Sequence, residues 1–135
     1  MSTFKSLVFL LLLGVSVGSI SSCHDHDDDE NNTVTIDIVT PKDGTKAANA
    51  KTVEVHVKFS ASVEMHELEI KLHPDGNSSN NIIDFDKHTH DKTYEFKETV
   101  DLSSFPAGTK FHLEVESCED HDCKKVKVAE SEFTI

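Results

Sequence analysis

Val53-Glu54-Val55-His56-Val57-Lys58-Phe59 alternates apolar and polar residues without a break. Successive side chains of an extended chain point to opposite faces. The stretch therefore reads as a strand with Val53, Val55, Val57 and Phe59 facing a core and Glu54, His56 and Lys58 facing water. The same period appears on both sides of it. Upstream, Ile36 and Ile38 alternate with Thr35 and Asp37, and Pro41-Lys42-Asp43-Gly44 closes that run as a turn. Downstream, Leu68, Ile70 and Leu72 alternate with Glu67, Glu69 and Lys71. A helix over 63–72 is conceivable, but the two-residue period fits better. His73-Pro74-Asp75-Gly76 opens a polar loop that continues to Asn81, and Ile82 to Phe85 reads as a short edge strand. Tyr94, Phe96, Val100 and Leu102 share one parity. Phe111, Leu113 and Val115 alternate with His112, Glu114 and Glu116; Val126, Val128, Phe133 and Ile135 complete the chain.

About seven short strands in some 100 residues predict an all-β fold. The expected architecture is an antiparallel β-sandwich of Ig-like or fibronectin-like type, covering residues 33–135. Phe105-Pro106-Ala107-Gly108-Thr109 followed by Phe111-His112-Leu113-Glu114-Val115 resembles the penultimate hairpin of bacterial Ig-like domains. There a Pro-Ala-Gly corner leads into an alternating strand, a short acidic loop and the last strand. The Tyr usual after the Gly-Thr of that corner is Lys110 here, and the chain has no Trp. The resemblance thus implies a bacterial relative rather than an antibody domain.

The N-terminus carries a different signal. Lys5 precedes an almost purely apolar run, Leu7 to Val17, and small residues follow. That is the layout of a secretory signal, and the run is too short to span a bilayer. Ile20-Ser21-Ser22-Cys23 resembles the lipobox of bacterial lipoproteins. The resemblance implies removal of residues 1–22 and lipidation of Cys23. The tether 23–32 includes His24-Asp25-His26-Asp27-Asp28-Asp29-Glu30, which has no apolar side chain and predicts an extended, disordered segment. An acidic run behind a lipidated cysteine also resembles the surface-export signal of Bacteroidota lipoproteins. It implies the outer membrane, on its periplasmic or cell-surface face.

Composition narrows the partners. The chain has 25 acidic residues against 13 Lys plus Arg and a formal net charge of −12. Nucleic acid is therefore excluded as a natural partner, since phosphate neutralisation needs basic patches. The membrane partner is reached through the N-terminal lipid, and an outer-membrane receptor or other envelope protein remains a candidate. Nine His among many carboxylates suit a divalent transition metal, zinc or copper, as cofactor.

Asp84, Asp86, His88 and His90 recur at every second position. On an extended stretch all four would face one way, about 6.6 Å apart. His88 and His90 can then share one ion. His73, at the end of the preceding strand, is the expected third ligand, with His66 next. Asp86 is an oxygen ligand or an orienting partner for an imidazole. His56 and His112 share parity with charged residues and should face solvent. Cys118 and Cys123 bracket Glu119-Asp120-His121-Asp122. With Cys23 lipidated, two cysteines remain in an oxidising compartment, which predicts a disulfide; a thiolate metal site with His121 is the alternative.

His56-Val57-Lys58-Phe59, Glu67 to His73, and Phe85-Asp86-Lys87-His88-Thr89-His90 together resemble an uncharacterised, histidine-containing family of Bacteroidota Ig-like lipoproteins. That resemblance implies fold and location and carries no activity. No nucleophile elbow, phosphate loop or metalloprotease helix is present, so no enzyme is expected. Two functions remain. One is a lipid-anchored cell-envelope protein that binds zinc or copper in an accessory or scavenging role. The other is an Ig-like interaction or adhesion module that binds a protein or glycan without metal.

Overall fold

The computed structural model describes residues 31–49 and 51–135. The expected signal peptide, the lipidation site Cys23 and tether residues 23–30 lie outside them. The described residues form eight strands: β1 Val34–Thr40, β2 Thr45–Lys46, β3 Thr52–Ala61, β4 Glu67–Pro74, β5 Ile83–His88, β6 Thr93–Asp101, β7 Lys110–Cys118 and β8 Val126–Thr134. They make a three-stranded sheet, β1-β3-β6, and a five-stranded sheet, β2-β8-β7-β4-β5. The fold is an all-β sandwich, as the alternation requires: each strand has one apolar face, and only a second sheet can cover it.

The inward faces are the ones that parity selects. Val55, Val57 and Phe59 of β3 meet Leu68, Ile70 and Leu72 of β4 and Leu113 and Val115 of β7, all essentially removed from solvent. Aromatic contacts close the side of the sandwich where the edge strands β5 and β6 approach. Phe85 stacks on Tyr94 and tilts against Phe96, while Lys87 lies over the Tyr94 ring. The outward face of the five-stranded sheet is acidic. Glu69 sits opposite both Asp86 and Glu116, and Glu114 sits opposite Glu130. Such pairs repel. Lys71 offsets part of the repulsion through its hydrogen bond to Glu69, which raises the lysine pKa, with help from Asp84 and Glu116.

Two details depart from expectation. The described residues form eight strands where about seven were expected, and one pairing is parallel: Thr45 and Lys46 lie beside Phe133 and Thr134. Both β2 residues are exposed and polar, so no hydrophobic period marks them. Asn32, which reads as the last tether residue, is 6% exposed and hydrogen-bonded into the domain. The corner at Phe105 to Thr109 carries the chain from β6 in one sheet to β7 in the other. Gly108 has φ +90° there, a left-handed conformation that side chains disfavour, and its N–H donates to the Ile135 carbonyl.

Candidate metal centre

Three connections meet at one end of the sandwich: the β3–β4 loop, the β5–β6 loop and the β7–β8 loop. The first two are zipped together by backbone bonds. Ala61 N–H donates to Lys92 O, Met65 N–H to Asp91 O, and Thr89 N–H to His66 O, at 2.8, 3.0 and 2.9 Å. Thr89 is buried, and its hydroxyl bonds Asp91 in both directions, fixing the turn around His90. The side chains of Glu64 and His66 on one loop and His90 on the other are thereby brought face to face. Each offers one ligand atom, and the three atoms lie within 4.8 Å of one another.

The individual distances suit a small ion. Glu64 Oε1 is 3.3 Å from His90 Nδ1 and 3.8 Å from His66 Nε2. Two ligand atoms on a tetrahedral zinc, each about 2.0–2.2 Å from the metal, are about 3.4 Å apart. His66 is 2% exposed and is packed beneath the group, with ring centroids 5.3 Å from His90 and 5.3 Å from His121. Burial holds one ligand rigid, while half-exposed His90 and one-third-exposed Glu64 leave a path for an ion.

A chain of acceptors and rings orients His90 from its far side. Glu67 Oε2 is 3.0 Å from His88 Nδ1, and His88 Nε2 is 3.2 Å from His90 Nε2. With His90 Nε2 engaged by His88, its Nδ1 is turned toward Glu64 and the shared space. Histidine ligands usually have their second nitrogen held by a carboxylate, carbonyl or water; here the His88 imidazole, itself backed by Glu67, takes that place.

The residues selected from the sequence divide as follows. His66, His88 and His90 are brought together. His73 is not. β4 and β5 run antiparallel, so His88 lies opposite Glu67 at the start of β4, while His73 lies near its end, opposite His112 of β7. Six residues of strand, about 20 Å, separate the two ends. His73 instead stacks on His112 at 5.6 Å, with Nδ1 near the Pro74 carbonyl and Nε2 3.6 Å from Glu114. Asp86 pairs with Glu69, one pleat away from His88, and stands outside the group. His56 and His112 sit on outward faces but are largely covered by acidic neighbours. His56 Nε2 is 2.6 Å from Glu95, a contact that holds the Glu95 carboxyl below its usual range. His112 is ringed by Glu114, Glu130 and Glu132. Sequence reasoning missed Glu64. The signal was available: Glu64-Met65-His66 repeats the i, i+2 spacing of His88-Thr89-His90.

The β7–β8 loop is closed by a Cys118–Cys123 disulfide, as expected. Inside it, Cys123 N–H donates to Asp120 O, and Lys124 bonds both Asp120 and Asp122. The Lys124 ammonium holds the Asp122 carboxyl below its ordinary range, so the residue beside His121 stays anionic. Closing so short a loop removes modest entropy from the unfolded chain. Replacing both cysteines by serine is expected to lower stability by about 2 kcal/mol. Urea unfolding checks this, and an unmoved midpoint would show that the bridge contributes nothing to stability.

Two surface clefts among the described residues lie apart from this group. One is lined by Thr35, Lys58, Tyr94 and Glu95, another by Glu69, Asn81, Asp84 and Asp86, and neither contains its histidines. No protein-family model matches the chain, and no curated protein matches it.

Proposed function

We propose that this is a lipid-anchored protein of the cell envelope that captures a divalent transition metal, zinc or copper, in an accessory or scavenging role. The observation that carries the reading is the group Glu64, His66 and His90, converging within 4.8 Å at one end of the sandwich. Imidazole with a carboxylate favours zinc or copper over calcium or magnesium, which take mainly oxygen ligands. The location rests on the lipobox-like run ending at Cys23 and the acidic segment behind it. The Ig-like reading is supported by the sheet order, in which β1-β3-β6 faces β8-β7-β4-β5, with hairpins at β4–β5 and β7–β8 and the other connections passing between the sheets.

Isothermal titration of the purified, chelator-treated protein tests the capture. One zinc or copper(II) ion is expected to bind with Kd below about 10 µM, that is, more favourably than about −7 kcal/mol. His90→Ala and Glu64→Gln should each weaken binding by about a hundredfold, since each removes one of the three ligand atoms that converge among the described residues. Binding weaker than 10 µM, or full binding in both variants, removes metal capture and leaves the interaction module. Fractionation and mass spectrometry test the location independently: acylated Cys23 in the outer membrane is expected, and intact, unacylated chain in the cytosol refutes it.

A further inference from the structure

We propose that His121 is the fourth ligand of this centre and that the Cys118–Cys123 bridge presents it. The inference rests on the metal-capture reading and adds to it how the site is completed. Three ligands leave a tetrahedral ion one position short, and closed zinc sites fill all four from the protein. His121, on the third loop, lies outside the 4.8 Å group but packs its ring against His66. Its ring centroid is 5.3 Å from His66 at 62°, matching the 5.3 Å between His66 and His90. Two imidazoles on one tetrahedral ion, with metal–nitrogen distances of about 2.0–2.1 Å, have centroids about 5 Å apart. The His121 side chain is 69% exposed, so it must swing inward to reach the ion, and its Nδ1 is 3.9 Å from the Asp122 carboxylate. That leaves Nε2 for the ion, with Asp122 as the orienting partner.

The loop that carries His121 is fixed on three sides. The disulfide closes its base, Glu119 N–H donates to Lys125 O, and the buried Asn32 amide donates to both Glu119 O and Glu64 O. Asn32 therefore spaces the His121 loop against the loop that bears Glu64 and His66. A ligand presented this way loses little freedom on binding, whereas an open loop must be ordered first. The bridge acts here as a constraint and is not consumed or exchanged.

Three variants of the full chain test this by zinc titration, with cobalt(II) as a spectroscopic probe. His121→Ala is expected to weaken zinc by about tenfold to a hundredfold. It should also convert the intense visible bands of four-coordinate cobalt to weaker ones. Cys118→Ser with Cys123→Ser, His121 retained, is expected to weaken zinc by about threefold to tenfold, through the ordering now required. The triple variant should match His121→Ala, because without the imidazole the bridge has nothing to present. An unchanged circular dichroism spectrum shows that each variant is folded. Wild-type binding that depends on His90 but is untouched by His121→Ala, in both affinity and cobalt spectrum, overturns the fourth ligand and leaves the capture reading standing. Absence of binding in the wild type overturns both.

Discussion

Phe111→Ala is expected to destabilise the domain by about 3–5 kcal/mol, the range for deleting a fully buried aromatic ring. Phe111 has no solvent exposure. Its ring stacks on Phe133 of β8 at 5.4 Å and makes a T-shaped contact with Phe105 at 5.1 Å. It therefore ties the two C-terminal strands to the corner that carries the chain between sheets. Those neighbours belong to β8 and to the Pro-Gly corner, so the hole cannot close by moving one flexible side chain. A domain of this size has a total stability of about 5–15 kcal/mol. The variant should thus unfold about 15 °C or more below the wild type. Phe111 lies at the opposite end of β7 from Cys118, so metal affinity of the folded variant should be unchanged. A loss below 1 kcal/mol would mean that this end of the core relaxes, and would place the anchoring elsewhere.

Much of this architecture is legible in the chain because one strand face is apolar and the other is not. β3 and β7 could be written down from Val53 to Phe59 and from Phe111 to Val115, and their buried positions follow from parity alone. β2 could not, because Thr45 and Lys46 pair at an edge through backbone groups and bury no side chain. Asn32 could not be separated from the polar tether before it, because its role depends on two segments that are distant in sequence, 62–64 and Glu119.

The candidate centre was half legible for the same reason. A pair of ligand residues two apart marks an extended or turning segment, and His88 with His90 was found that way. Expecting His73 beside them overlooked direction. In an antiparallel pair the end of one strand meets the beginning of the other, so the partner of His88 had to come from the start of β4, where His66 precedes Glu67. Glu64 was marked by its spacing from His66, but His121 required knowing that the β7–β8 loop shares one end of the sandwich with the β3–β4 loop. Local periodicity is blind to that and sheet order is not.

Asn32→Ala should cost about 2–4 kcal/mol, because it strands several buried polar groups at once, each costing about 1–3 kcal/mol when wholly unmet. The Asn32 amide donates to Glu64 O at 2.5 Å and Glu119 O at 2.8 Å. Its carbonyl accepts from Val63 N–H at 3.0 Å and from the Ser62 hydroxyl at 3.2 Å. Water can reach part of this network, which keeps the expected sum below that of all the groups together. Asn32→Asp keeps the shape and the acceptor but replaces the donor with a second acceptor facing two carbonyls. It should be at least as damaging, although it removes no volume. The alanine variant should also weaken zinc by about tenfold, since the loops bearing Glu64 and His121 lose their shared spacer. Urea unfolding and zinc titration of the two variants decide the matter. A tolerated aspartate would show that the amide donor is dispensable, and an unchanged zinc affinity in both would separate this residue from the centre.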